Sequence, residues 1–559
     1  MSVNSEGAVR RTRLESLSGS RLLFLIHSAT GLWLTILLSI VLLSGTLTVF
    51  WQEIDWLAYS ELRVERKEQR LNPGLLFDKI VATHSKLAVE DFETNIYDPR
   101  SAASARVVLP NGTGVRQIWI DPYTGVIQGD TPFLTVGKFI ELLHTSLYLP
   151  VIGRAFVNFF GLLAVISTIT GLLTYKKFWR GFFRRPRFDR NARTWIGDLH
   201  RLTALWSLWF LIVIAVTGSW WFYLNPLVKY KVIPTVVSSP PKVPELTEAE
   251  LARLGPETPE RLSAEAIVKV VKSTYPDLAV TRMRPPGNAT QPYIIMGDRK
   301  EILTRIYANT IYVNPYSGAI LGRDIAENWP AMRRVSAAMH PLHYGTWIKT
   351  GSGNFIVKSV WFVGGLAMSF LALSGLFIYL RRTRDALAGA LASRRIVHLL
   401  KKIWNTLKPW GGPMGVMKYI NYAGSAAIIA GAFLIISLAS RGVEGKGRDF
   451  PEQAAGPFKI ELTALAGLLE ADLPPIRPGA RTEIYVRIAD GKFKDARIIR
   501  IGAHATGEAK AQGSLTRGPN GIAVANVRLP KDLADAYLWA EIEGWDGQVY
   551  RTEWPVRAE

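Results

Sequence analysis

Apolar residues in this chain gather into five runs, from 22 to about 50, 155–175, 202–222, 359–380 and 419–440, with long polar stretches between them. A helix needs about 20 apolar residues to cross the hydrocarbon core of a bilayer, and each run is long enough. In lipid a segment must satisfy its own backbone hydrogen bonds, so the runs are expected as helices. The first run is too long for a removable signal peptide and no small-residue cleavage site follows it promptly. Beyond 441 the period shortens to alternation, as in Glu483-Ile-Tyr-Val-Arg-Ile-Ala and Tyr537-Leu-Trp-Ala-Glu-Ile. Asp490-Gly, Gly518-Pro-Asn-Gly and Asp546-Gly punctuate it, which predicts a small β-sandwich.

Charge orients the helices. The chain of 559 residues carries a formal net charge of +21. Arg10, Arg11, Arg13 and Arg21 precede the first run; Lys176, Lys177, Arg180, Arg184, Arg185, Arg187, Arg190 and Arg193 follow the second. Arg381, Arg382, Arg384, Arg394, Arg395, Lys401, Lys402 and Lys408 follow the fourth. Basic loops stay in the cytoplasm, so the excess faces anionic lipid rather than nucleic acid, for which no motif is visible. The expected location is a bacterial inner membrane. The N-terminus is then cytoplasmic, and the stretches 51–154 and 225–354 and the C-terminal segment from about 441 are periplasmic. Trp51, Trp56, Trp220, Trp221 and Trp361 are expected as an outer aromatic belt.

A repeat of roughly 180 residues organises the rest. His27 is followed by Trp33 and, eighteen residues on, Gly45; His200 is followed by Trp206 and, eighteen on, Gly218. Trp119-Ile-Asp-Pro-Tyr-Thr-Gly125 matches Tyr312-Val-Asn-Pro-Tyr-Ser-Gly318, each predicting a strand, a tight turn and a second strand. Leu143-His144 and Leu342-His343 come next, then closing helices with Thr170-Gly171 and Ser374-Gly375. Each half holds two spans, so both insert the same way round, and equivalent residues meet at equal depth across an axis along the membrane normal. His27 should face His200 near the inner surface, and His144 should face His343 near the outer one.

Cysteine is absent, which excludes disulfides, thiolate metal sites, cysteine-ligated clusters and covalent c-type haem. Two facing pairs of imidazoles suit two non-covalent b-type haems with His/His axial ligation. Ionisable residues within spans are functional by default, although a single interfacial histidine can equally face lipid headgroups. His340, three residues from His343, is the alternative ligand. Arg201 could meet a haem propionate or serve as a plain positive-inside anchor. The paired glycines fit either close approach to a macrocycle or ordinary helix packing in lipid. His84, His398 and His504 break the repeat.

These residues together resemble the PepSY-associated transmembrane proteins: early His27, Asp-Leu-His200-Arg, the two Asp/Asn-Pro-Tyr hairpins and Leu-His before each closing span. The match covers about 20–385. That family includes iron-regulated inner-membrane proteins and ferric-siderophore reductases. The resemblance implies two periplasmic PepSY-like domains, a haem-binding four-helix bundle and reductase-like oxidoreductase activity on a ferric chelate. The expected fold class is membrane α-helical: a four-helix bundle from a parallel two-fold repeat, a fifth membrane helix, two α+β PepSY-like domains and a C-terminal β-sandwich-like domain. The divisions are 1–50 (N-terminus and first span), 51–154 (first outer domain), 155–224 (second span, basic loop, third span) and 225–354 (second outer domain). The fourth span (355–385), a basic loop with the fifth span (386–440) and the β domain (441–559) complete the chain.

No flavin or nicotinamide motif is visible, so the electron donor must be another molecule, a cytoplasmic carrier or a membrane quinone. A periplasmic ferric siderophore or another acceptor would take the electrons. A metal-chelate transporter and a non-enzymatic regulator of a periplasmic partner are the competing classes. The spans lack the buried acidic and basic residues that couple ions, which argues against transport.

Overall fold

The computed structural model describes residues 19–392 and 447–556, apart from 33–34, 85–86, 109–114, 150–151, 176, 230–240, 242, 244–258, 288, 300, 350, 466–473, 490–494, 506–510, 513 and 516–521. The fifth apolar run, at 419–440, and His398 lie outside the described residues. The first half contains α1 (Gly19–Leu32), α2 (Thr35–Thr48), α3 (Trp51–Ala58) and α4 (Pro73–Thr83). Strands β1 (Ala88–Glu93), β2 (Ala103–Val108), β3 (Val115–Ile120) and β4 (Ile127–Pro132) follow, then α5 (Val136–Ser146) and α6 (Ile152–Thr174). The second half gives α7 (Ala192–Trp206), α8 (Leu208–Lys229), α9 (Ala264–Thr274), β5 (Ala279–Arg284), β6 (Tyr293–Asp298), β7 (Asn309–Val313), β8 (Ile320–Asp324), α10 (Ala331–Tyr344) and α11 (Gly351–Ala392).

The chain is a membrane protein with β-sheet bodies outside its helices. Two stretches, Gly153–Thr174 and Gly353–Arg381, are long and apolar enough to cross a bilayer as single helices. The first and third runs are not straight spans. Leu37–Thr48 turns by 68° into Trp51–Ala58, and Ala192–Trp206 turns by 71° into Leu208–Leu224. The second bend has a local cause. Ser207 leaves helical geometry, and its hydroxyl back-bonds at 2.7 Å to the Thr203 carbonyl that its N–H already engages, a bond that bends helices. The segment before it carries Asp198, His200 and Arg201, which do not suit hydrocarbon.

Helices pack both within and between the two halves of the chain. α6 packs on α8 and α1, and α11 packs on α2 and α7. At the α6–α8 crossing a Cβ on Gly161 would lie 2.4 Å from the Gly218 carbonyl carbon, so the approach requires glycine.

The two outer halves, read as separate domains in the sequence, share one antiparallel sheet in the order β4-β3-β2-β1-β5-β6-β7-β8. β1 and β5 would each be an open edge, and they close each other with Phe92 opposite Met283 and Glu93 opposite Arg282. α4 and α9 pack together on its apolar face, where Phe92, Ile80 and Ile267 are fully buried. The Asp78 carboxylate of α4 accepts the Ala264 and Glu265 N–H groups at 3.0 and 2.9 Å, capping α9. Both predicted hairpins are present. Asp121 and Asn314 each accept the N–H two residues on, from Tyr123 and Tyr316, and Gly125 and Gly318 take φ of +71° and +73°.

The C-terminal body stacks a six-stranded sheet on a four-stranded one around Trp554, Phe458 and Ile460. Its predicted strands stand as Arg481–Ile488 and Ala536–Gly544. Of the expected tryptophan belt, Trp361 is buried at 6% exposure. Trp56 and Trp220 donate inward, to the Arg100 carbonyl and the Ser336 hydroxyl, and Trp221 lies edge-on to His343. Indole N–H groups favour a fixed partner where the fold offers one.

Candidate functional site

His144 sits in the last turn of α5, and α3 sets the start of that helix. Asp55 accepts the Thr135 hydroxyl and the Gly137 N–H, both at 2.6 Å, while Thr135 caps Lys138 at 3.2 Å. His343 occupies the equivalent turn of α10. There Gly345 ends the helix at φ +66° beneath the Trp361 ring. The Trp361 indole N–H donates to the Leu342 and His343 carbonyls at 3.0 and 3.1 Å, satisfying acceptors the helix end would leave open. His27 and His200 lie on α1 and α7, the segments that precede the apolar helices of each half.

All four imidazoles are held in the same way. The Nδ1 of His144 bonds the Val41 carbonyl at 2.8 Å, and that of His27 bonds the Ser167 carbonyl at 2.9 Å. In the second half the partners are hydroxyls, Thr217 for His343 and Ser374 for His200, each at 2.8 Å. Those hydroxyls already donate, Thr217 to Val213 at 2.7 Å and Ser374 to Phe370 at 2.6 Å, so they accept from the rings. Every Nδ1 is therefore the protonated nitrogen, and every Nε2 keeps its lone pair for a metal. A glycine flanks each ring: Gly45 beside His144, Gly218 beside His343, Gly171 beside His27 and Gly375 beside His200.

The rings of His144 and His343 stand with centroids 6.2 Å apart and planes 30° from parallel. His27 and His200 come within electrostatic range of each other. One cavity of about 1360 Å³ runs between the pairs and is lined by all four histidines. A further void of about 60 Å³ continues it past the outer rings, beside Gly45, Thr46 and Gly365.

His343, not His340, stands opposite His144. His340 lines the cavity and stacks on Tyr344 at 4.3 Å. Arg201 pairs with Asp198, whose carboxylate also receives the Arg187 guanidinium at 2.9 and 3.1 Å. Ser374, Thr217, Asp55 and Trp361 were not singled out as site residues from the sequence. For the first two a signal existed: each is the hydroxyl residue immediately before a repeat glycine.

A family model described as PepSY-associated TM region matches residues 24–382. A second, described as Uncharacterised conserved protein UCP029505, matches 433–557. An uncharacterized protein of Pseudomonas aeruginosa is 25% identical over 258 residues, which cover 44% of this chain and 63% of that protein. The chain thus spans less than two thirds of the curated relative it matches.

Proposed function

The chain belongs to the PepSY-associated transmembrane family, and on that premise we propose that it is a haem-binding electron-transfer protein of a bacterial inner membrane. His144 and His343 would hold one b-type haem, and His27 and His200 a second. The outer pair carries this reading. Imidazole nitrogens bind a metal at about 2 Å, so two rings that would share one iron must be held several ångströms apart. The rings stand 6.2 Å apart with both Nδ1 positions engaged. The cavity of about 1360 Å³ exceeds the roughly 300–1,000 Å³ of a single small-molecule site, which accords with two macrocycles.

A bound haem supplies reversible one-electron exchange at its iron. The chain's own residues fix the four imidazoles as Nδ1–H tautomers, line the cavity with apolar side chains and hold the pairs at opposite ends of a four-helix bundle. With the basic segments cytoplasmic, the inner pair faces a cytoplasmic or quinol donor. The outer pair then faces a periplasmic acceptor of the ferric-siderophore class, which makes the activity reductase-like.

The test is a reduced-minus-oxidised absorbance spectrum of the purified full chain, with pyridine haemochrome quantitation. The expected result is a b-type spectrum and two haems per chain. A colourless protein that cannot be reconstituted with haem overturns the reading and returns the chain to the transporter or regulator class.

A further inference from the structure

The cavity's charged lining is uneven. Lys138 is paired with Glu141 at 2.7 Å, and Arg187 and Arg201 share Asp198. Arg154, Arg193 and Arg305 line the cavity without an ion pair among the described residues, and of these Arg305 stands within electrostatic range of a cavity-lining histidine. Among the described residues its guanidinium donates to the Tyr307 hydroxyl alone, at 2.9 Å. Within electrostatic range stands His340, whose Nδ1 is sealed from solvent without a hydrogen-bond partner. Its ring is fixed by the stack on Tyr344 at 4.3 Å with planes 12° apart. A buried imidazole nitrogen without a partner is costly, and the Arg305 guanidinium beside it is free to receive an anion.

We propose that Arg305 and His340 form a carboxylate site that takes a propionate of the haem at the outer pair. A carboxylate entering the cavity offers charge to the guanidinium and an acceptor oxygen to the His340 ring where that ring lines the cavity. A soluble anion shares that chemistry. The haem is favoured because His340 lies three residues before His343 on α10, one turn from the proposed ligand. Arg201, the residue the sequence suggests for this role, is already committed to Asp198. The inference rests on the haem reading and gives the outer group an orientation: propionates toward the sheet body that carries Arg305.

The experiment uses the full chain with Arg305→Ala, Arg305→Lys and His340→Phe, each loaded with haem or with haem dimethyl ester, whose propionates are blocked. With native haem, Arg305→Ala should lower the outer midpoint potential by about 59 mV, a tenfold change in the one-electron equilibrium. Loss of a nearby cation disfavours the reduced form, so the sign is negative. Arg305→Lys should restore most of the shift, and His340→Phe should give a smaller shift of the same sign. With the ester, wild type and Arg305→Ala should coincide. An unchanged potential with native haem, or an equal shift with the ester, overturns the assignment. So does a defect confined to reduction of an anionic acceptor, which would make this a site for a soluble ion. Complete loss of the outer haem in His340→Phe would make His340 a ligand instead. A wild-type chain that binds no haem defeats the functional reading itself, whereas two haems with an indifferent Arg305→Ala defeats only this inference.

Discussion

Adding one methyl group at Gly45 should empty the outer site, while the same change at Gly375 should leave the inner one intact. The Gly45 Cβ would stand 2.5 Å from Cε1 and 2.7 Å from Nδ1 of His144. Carbon atoms rest at about 3.5 Å, so the ring must retreat by about 1 Å. That exceeds the roughly 0.5 Å within which a functional group must be held. The ring can move only by breaking its 2.8 Å bond to Val41 or by closing the gap to His343. If α5 shifts instead, overpacking costs about 1–3 kcal/mol, or roughly 5–150-fold in haem affinity. At Gly375 the added Cβ would sit 3.7 Å from the His200 Cε1, an ordinary contact. The assay is haem stoichiometry with a redox titration resolving two midpoints. Gly45→Ala should lose the outer component and Gly375→Ala should keep both. Equal occupancy with unchanged potentials in Gly45→Ala would refute the steric reasoning and, with it, the placement of a ligand at His144.

Other perturbations separate the two sites and the sheet. Thr217→Val removes the acceptor that makes the His343 ring a stronger donor, so the outer potential should rise, by up to about 60 mV for a tenfold shift; redox titration reads this, and a fall would contradict it. Trp361→Phe deletes both indole bonds to the end of α10, a loss of about 1–3 kcal/mol. Haem release on dilution should then speed up for the outer group alone. Burial pushes the Asp78 carboxyl above its usual range of about 4, against the two N–H groups it caps. Its protonated form is favoured by folding, so that contribution is present at low pH and is lost as pH rises through the raised value. Relative to Asp78→Asn, wild type should gain thermal stability as pH falls from 7 toward 4, and parallel melting curves would exclude the effect.

The parts legible in the sequence are those fixed by short periods and short motifs. Apolar runs marked the helices at Gly153–Thr174 and Gly353–Arg381, and the Asp121 and Asn314 turns marked both hairpins. The two Leu-His pairs, Leu143-His144 and Leu342-His343, were also visible, and the fold brings those two rings to 6.2 Å. The bends did not. An apolar run registers composition, and Ser207 is one hydroxyl in such a run until its backbone leaves helical geometry and its hydroxyl back-bonds to Thr203. Edge pairing of β1 with β5 was equally hidden, because the partners lie about 190 residues apart, Phe92 against Met283, and no local signal names an edge strand's mate. Arg201 illustrates a third limit. Its neighbour Asp198 is visible in the sequence, but Arg187, which shares that carboxylate, becomes a neighbour only when the chain turns back between α6 and α7.

That edge pairing bears on the chemistry. Each proposed haem takes one imidazole from each half, so neither half holds a complete site. The separation of His144 from His343 therefore depends on whatever locks the halves together. Inside the membrane the lock is α6 against α8 and α2 against α11; outside it is the β1–β5 seam and the α4–α9 contact. The last is the tighter constraint: a Cβ at Gly74 would stand 2.2 Å from the Ala264 carbonyl oxygen. Displacing α9 there would also pull the Asp78 cap from Ala264 and Glu265. A methyl group at Gly74 should consequently disturb the sheet body and the outer histidine pair while sparing His27 and His200, which lie in the α1–α6 and α7–α11 layers. A redox titration of Gly74→Ala in which the inner potential moves and the outer does not would mean that the membrane helices alone set the ligand spacing, and that the shared sheet serves another purpose.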